Sequence, residues 1–180
     1  MIGSSNGLVC IYQQLDCQLL VANPSTREVK KLYAFLLDIC EYWGFGYDSS
    51  TNNYKVIVGF QKDKTTCFYA LSLKTNIWEL IRVFRDVDDE PISVRGVLLD
   101  GSVNWFMINK SNSKKFILSF DLPRQEFIEI SVPDECDQDD MRLGVIKQCL
   151  CVYSQSPYTN KPDDMGNGKI QCKNALETGA

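Results

Sequence analysis

Gly44-Phe45-Gly46-Tyr47-Asp48-Ser49-Ser50-Thr51-Asn52-Asn53-Tyr54-Lys55-Val56-Ile57 reads as a strand, a tight turn and a returning strand. Small and aromatic residues lead into Asp, Ser, Thr and Asn, whose side chains bond nearby backbone and favour turns. An alternating apolar run leads out. The pattern recurs. Aligned on the first turn residue, ten-residue windows start at Asn23 (NPSTREVKKL), Asp48 (DSSTNNYKVI), Ser72 (SLKTNIWELI) and Asp121 (DLPRQEFIEI). Position four is Thr in three windows and Arg124 in the last; position seven is Val29, Tyr54, Trp78 or Phe127; position ten is Leu or Ile throughout. The starts lie 25, 24 and 49 residues apart.

A second hairpin signal fills the gaps. Asn6-Gly7, Asp100-Gly101 and Lys147-Gln148 each precede an apolar run. A two-residue type I′ turn needs φ > 0 at both central positions, which Asn-Gly and Asp-Gly adopt with least strain. A hairpin therefore falls about every 24 residues, and two hairpins make a unit of about 48, near the kelch blade period of about 50. The expected fold is all-β: a kelch-like β-propeller fragment of antiparallel hairpins, about 13 strands in about three blades. Propellers close with about 4 to 8 blades, so the domain is expected to be incomplete.

Within this frame, Tyr54, Val56, Val58 and Phe60 share one face, and Ile57 on the other marks a strand buried on both sides. Trp78 is a candidate core anchor. Leu32, Phe35, Leu36, Ile39, Cys40 and Trp43 fall at helical spacing, so one short helix or an irregular link near 33–41 both fit. Arg85 to Pro91 reads as an acidic loop with a proline stop, and Ser93 to Leu99 as a strand. After Tyr153 the alternation fails. Residues 1–153 are assigned to the propeller domain and 154–180 to a mostly disordered tail.

Composition narrows the function. The 180 residues carry a net charge of −4, with an isoelectric point near 4.9. A broad phosphate-binding face needs the opposite balance, so no nucleic-acid partner is expected. No apolar run approaches a membrane span and no basic-then-apolar leader is visible, so no membrane partner and a cytoplasmic or nuclear location are expected. There are eight cysteines and no histidine. No Cys-x-x-Cys occurs, and reduced, buried thiols are the expectation, with no metal site and no cofactor.

The resemblance enters on these residues. Gly3-Ser4-Ser5-Asn6-Gly7-Leu8-Val9-Cys10, Asn23-Pro24-Ser25-Thr26-Arg27, Gly44-Phe45-Gly46-Tyr47-Asp48 and Asp48 to Val56 are among the matching stretches. Tyr69 to Trp78, Asp100-Gly101-Ser102-Val103-Asn104-Trp105, Ser119-Phe120-Asp121-Leu122 and Leu143-Gly144-Val145 continue them. In this order, over roughly 3–153, they resemble the F-box-associated domain of plant F-box proteins, including the kelch-type and S-locus groups. The resemblance implies the substrate-recognition part of a cullin-type (SCF) ubiquitin ligase subunit, whose partner is a target protein for ubiquitination. In that plan an N-terminal F-box binds the ligase adaptor. No such helical segment is visible here, so adaptor binding is expected only through an F-box absent from this chain.

Recognition by such a domain falls to its loops. Arg85, Asp86, Asp88 and Asp89 in one loop and Lys110, Lys114 and Lys115 in another are the candidate partner-binding residues; Pro133 to Asp140 is a third candidate segment. An ordinary solvated turn is the competing reading of each charge run. An alternative function is a truncated, pseudogene-like product without ligase activity. A propeller carbohydrate-active enzyme is less favoured, and no catalytic residue is assigned. Without histidine, Ser-His-Asp and Cys-His activation are unavailable. Only carboxylates such as Asp134, Glu135, Asp137, Asp139 and Asp140 remain, in a polar loop with nothing apolar to raise a pKa.

Overall fold

Four antiparallel sheets follow one another along the chain. The computed structural model describes residues 1–13, 16, 18–32, 40–132, 141–154 and 170–173. The first sheet is β1 (Gly3–Ser5), β2 (Leu8–Gln13), β3 (Gln18–Asn23) and β4 (Glu28–Leu32). The second is β5 (Tyr42–Asp48), β6 (Asn53–Lys62), β7 (Thr65–Ser72) and β8 (Trp78–Phe84). Both are meanders in chain order. The third joins β10 (Val97–Leu99), β11 (Ser102–Asn109), β12 (Lys115–Asp121) and β13 (Glu126–Ser131), with β9 (Asp89–Pro91) also paired to β11. The fourth holds β14 (Met141–Ile146), β15 (Cys149–Ser154) and β16 (Ile170–Lys173).

The all-β propeller expectation is met, and the strand count is extended to sixteen among the described residues. The additions are short. β1 precedes the first Asn-Gly turn, β9 falls inside the acidic loop, and β16 falls inside the stretch expected as a mostly disordered tail. Ser93 to Leu99 is correspondingly shorter than expected, with only Val97–Leu99 in regular pairing. The helix-or-link alternative near 33–41 falls almost wholly on residues 33–39, which lie outside the described residues, as do 133–140 and most of the tail.

The recurrent windows are the turns β3–β4, β5–β6, β7–β8 and β12–β13. In each, the side-chain oxygen at position one accepts the backbone N–H of position four: Asn23 from Thr26, Asp48 from Thr51, Ser72 from Thr75 and Asp121 from Arg124. Position five then turns into the left-handed region, at Arg27, Asn52, Asn76 and Gln125 (φ 50–60°). Asn109 opens a fifth copy, accepting from Ser111 and Asn112, with Ser113 at φ 57°. The sequence alignment missed it because Asn112 and Lys115 occupy positions four and seven. Asn6-Gly7, Asp100-Gly101 and Lys147-Gln148 carry the paired positive φ of type I′ turns, and Asp63-Lys64 joins them.

The core lies between the sheets. Leu19, Val21 and Leu32 of the first sheet pack on Trp43, Phe45, Val56 and Val58 of the second. Tyr42, Ile57 and Phe68 pack from the other side of the second sheet onto Val103, Trp105, Leu118 and Phe120 of the third. Phe106 and Ile117 then meet Met141, Leu143, Leu150 and Val152 of the fourth. β6 is thus buried on both faces, as its sequence implied. Trp105 rather than Trp78 is the fully buried tryptophan; Trp78 packs against the first cluster but stays partly exposed. The Trp43 carbonyl accepts both the Trp105 indole N–H, at 3.1 Å, and the Gly96 N–H, at 2.6 Å. A Cβ at Gly44 would lie 2.6 Å from Val103 Cγ1, so glycine is what lets these sheets approach.

The cysteine expectation is corrected in one place. Cys10, Cys40, Cys67 and Cys149 are reduced thiols, and burial pushes the Cys10 thiol up to about 12. Cys151, however, is disulfide-bonded, and Cys172 stands opposite it in the β15–β16 register. Two antiparallel strands brought Cys172 to this position, which the irregular sequence between them concealed.

Candidate interaction site

Antiparallel pairing alternates the ends at which turns fall. In the second and third sheets the β5–β6, β7–β8, β10–β11 and β12–β13 turns share one end, where Ser50 Oγ approaches the Pro123 carbonyl at 3.5 Å. The opposite end gathers the β6–β7 turn, the β8–β9 connection and the β11–β12 turn. These include both charged segments singled out from sequence, although 25 residues separate Arg85 from Lys110.

The contacts joining them are specific. The Lys110 backbone N–H donates to the Asp88 carbonyl at 2.8 Å, and Ser111 Oγ donates to Asp88 Oδ2 at 2.8 Å. Asn109 Nδ2 donates to Asp89 Oδ1 at 2.7 Å, and Lys110 forms an ion pair with Glu90. On the other side, the Val87 N–H donates to the Lys64 carbonyl at 3.1 Å, and Lys64 Nζ lies 3.8 Å from Asp88. Both ion pairs are solvent-exposed, so they position loops rather than hold the fold. The hydrogen bond from Lys110 to Glu90 raises the pKa of the Lys110 ammonium. Burial and the nearby Glu90 charge raise that of the Glu41 carboxyl.

The candidate residues therefore fare differently. Asp88 is an internal strut. Asp89 is not a loop residue but opens β9, half-buried. Lys115 begins β12 opposite Ile108. Arg85, Asp86 (φ 55°) and Lys114 are exposed and make no ion pair among the described residues. The third candidate segment lies outside the described residues.

Sequence reasoning missed the cavity beneath these loops. A polar depression of about 220 Å³ is lined by Asp89, Asn109, Asn112, Lys114, Phe116, Glu129 and Ser131. Asp89, Phe116 and Glu129 also line a second, smaller cleft of about 30 Å³, whose walls include Tyr42, Thr66, Phe68 and Phe84. Burial, and then the charges of Glu41 and Asp89, push the Tyr42 hydroxyl pKa well above the usual tyrosine value, so it stays neutral. Thr66, beside that hydroxyl, tempers the rise, although its buried Oγ1 meets no hydrogen-bond criterion among the described residues. The residues come from β5, β7, β8, β9, β11, β12 and β13 and the turns between them, and no local sequence signal unites them. No group of acidic, cysteine or histidine side chains among the described residues is arranged to hold a metal, and no described helix is long and apolar enough to cross a membrane.

Comparison with known proteins supplies the family. Residues 1–166 match the model of the F-box associated beta propeller domain. An F-box/kelch-repeat protein of Arabidopsis thaliana is 28% identical over 83% of this chain and 44% of its own length. The F-box protein CPR1 of the same plant is 28% identical over 87% of this chain and 46% of its own. The chain thus spans just under half the length of these curated relatives, which are named as F-box proteins and not as enzymes. Among solved structures, TolB from Acinetobacter baumannii superposes with a TM-score of 0.49 at 14% identity, over 90% of this chain and 36% of that one. That likeness is too distant to carry weight. The family match covers most of the chain, the antiparallel sheets accord with it, and the chain belongs to the F-box associated β-propeller domain family.

Proposed function

We propose that this chain is the target-recognising part of a cullin-type ubiquitin ligase receptor. Two kinds of support converge. The relatives are F-box proteins, and a protein-interaction role suits a rigid stack of sheets that presents loops at its ends. The observation that carries the assignment of a face is the joining of 85–90 to 109–114 through Asp88 and Asn109. A preorganised loop pair loses less conformational entropy on binding than two independent loops. The target is a protein met in the cytoplasm or nucleus, and the adaptor is engaged through an F-box rather than through these sheets.

The test is cross-linking from this face in plant cells, followed by the abundance of the cross-linked protein after cullin inactivation. The expected result is a protein that cross-links to exposed positions such as Arg85 and Lys114 and accumulates when the ligase is blocked. A cross-linked partner whose level ignores the ligase would overturn the ubiquitination reading. In purified form, the 180-residue chain should leave the ligase adaptor unbound, and direct binding would contradict the assignment of that role to the F-box.

A further inference from the structure

We infer that a disulfide between Cys151 and Cys172 is a redox latch that holds the last strand, β16, on the fourth sheet. Its regulatory meaning rests on the cytoplasmic or nuclear location proposed above, where glutathione and thioredoxin keep ordinary thiols reduced.

The pairing follows from backbone register. Cys151 is disulfide-bonded, its Cα partner on β16 is Cys172, and Cys10, Cys40, Cys67 and Cys149 are reduced. Directly opposed residues of an antiparallel pair stand about 4.5–5.5 Å apart at Cα. That lies inside the span of about 4.4–6.8 Å that a disulfide bridges. Cys149 shares the face of Cys151 but falls just past the paired register, which stops at Leu150 and Lys173.

The bond matters because little of the backbone holds this strand. Among the described residues β16 has four residues, is outermost in its sheet and pairs with β15 alone. So short a strand with one neighbour is marginal by itself. With the thiols reduced, each re-pairing also carries the closure entropy of the connection 155–169. β15 is fixed independently, since Leu150 and Val152 lie in the third apolar layer with Phe106 and Ile117. Opening the latch therefore frees β16 and bares the outer edge of β15, a row of unpaired N–H and C=O groups. The layer itself stays in place.

The chemistry is thiol–disulfide exchange with glutathione. Cys151 is fully buried, so attack comes at the Cys172 sulfur as β16 frays, and Cys151 leaves as the thiolate. A second glutathione thiolate attacks the glutathione sulfur of the mixed disulfide, and Cys172 leaves. Two electrons pass to the protein, the protons of the two glutathiones end on the two cysteines, and one glutathione disulfide is formed. Closing the latch is the reverse, with glutathione disulfide as oxidant.

The test equilibrates the 180-residue chain in glutathione buffers of stepped reduced-to-oxidised ratio. Linkage is read by alkylation and peptide mass, and opening by backbone amide hydrogen exchange. The 151–172 link should titrate reversibly as a two-electron couple. Reduction should speed exchange in β16 by about tenfold or more while β6 and β11 keep their protection. Cys172→Ser should exchange rapidly there in every buffer, and Cys149→Ser should titrate as the parent chain does. A bond from Cys151 to Cys17 or Cys136 would overturn the pairing. A link that survives reduced glutathione alone, exchange in β16 that ignores the link, or protection lost in β6 and β11 as well would each overturn the latch. These readings use the purified chain, so their failure leaves the ligase proposal standing, and failure of the cellular cross-linking leaves the latch standing.

Discussion

Trp105 ties the second sheet to the third. It is fully buried, meets Tyr42 edge-on with centroids 6.3 Å apart and Phe68 at 5.6 Å, and donates its indole N–H across the sheets to Trp43. Trp105→Ala is expected to cost about 3–5 kcal/mol in denaturant unfolding. Trp78→Ala should cost clearly less, because β8 is an edge strand and that ring keeps solvent on one side. Equal losses would remove Trp105 from its central place. Both tryptophans were visible as strand aromatics in sequence. Their ranking was not, because position in a window says which face a side chain takes and not how deep its strand lies.

At the scale of the element, the β5–β6 turn shows how a motif becomes a stabilising unit. Asp48 is fully buried; its carboxylate accepts from Ser50 Oγ and Thr51 Oγ1 and pairs with Lys55 at 2.8 Å. Burial alone would raise its pKa, but the bonds from Lys55, Ser50 and Thr51 and the Lys55 charge together outweigh it, and the carboxyl sits well below the usual range. A lowered folded pKa gives stability that is complete above the unfolded value of about 3.9 and is lost as pH falls from there toward the folded value. Asp48→Asn should therefore cost about 3–5 kcal/mol at neutral pH, the usual result of leaving a buried charge unpaired. The gap from wild type should narrow below about pH 4. Melting curves from pH 2.5 to 7 read this directly, and a constant gap would contradict the linkage. The left-handed fifth position gives a contrasting prediction. Gln125→Gly should stabilise by about 1 kcal/mol, because a long side chain at φ 58° is strained there. Asn52→Gly should change little, since Asn tolerates that conformation. Thermal unfolding of the pair distinguishes them.

Across the whole molecule, three apolar layers alternate with four sheets. The second and third sheets are covered on both faces, whereas the first and fourth are covered on one among the described residues. Backbone opening needs the loss of both layers in the inner pair but only one in the outer pair. Native-state hydrogen exchange should therefore show greatest protection in β6, β7, β11 and β12, with faster exchange in β2, β3, β14 and β15. Protection that is uniform, or highest in the first sheet, would show that the layers do not open independently. At the same scale, both candidate loops proved to share one end of the stack, an outcome set by the alternation of hairpins rather than by any feature of the loops.

Periodicity and turn chemistry were both written in the chain. They determined antiparallel hairpins, the positions of their turns and the four-stranded unit, because strand alternation and φ > 0 turns are local demands that single residues satisfy. The fifth turn at Asn109 and the strand at Asp89 escaped notice because each departs from the repeat by one or two residues. Only the folded arrangement decided that Asp88 and Lys110 would meet, that Cys151 would be bonded, and that Tyr42, Thr66, Asp89, Phe116 and Glu129 would line adjoining depressions. Those residues are as many as 87 positions apart, from Tyr42 to Glu129, and contacts of that range depend on how sheets stack, which no local pattern encodes.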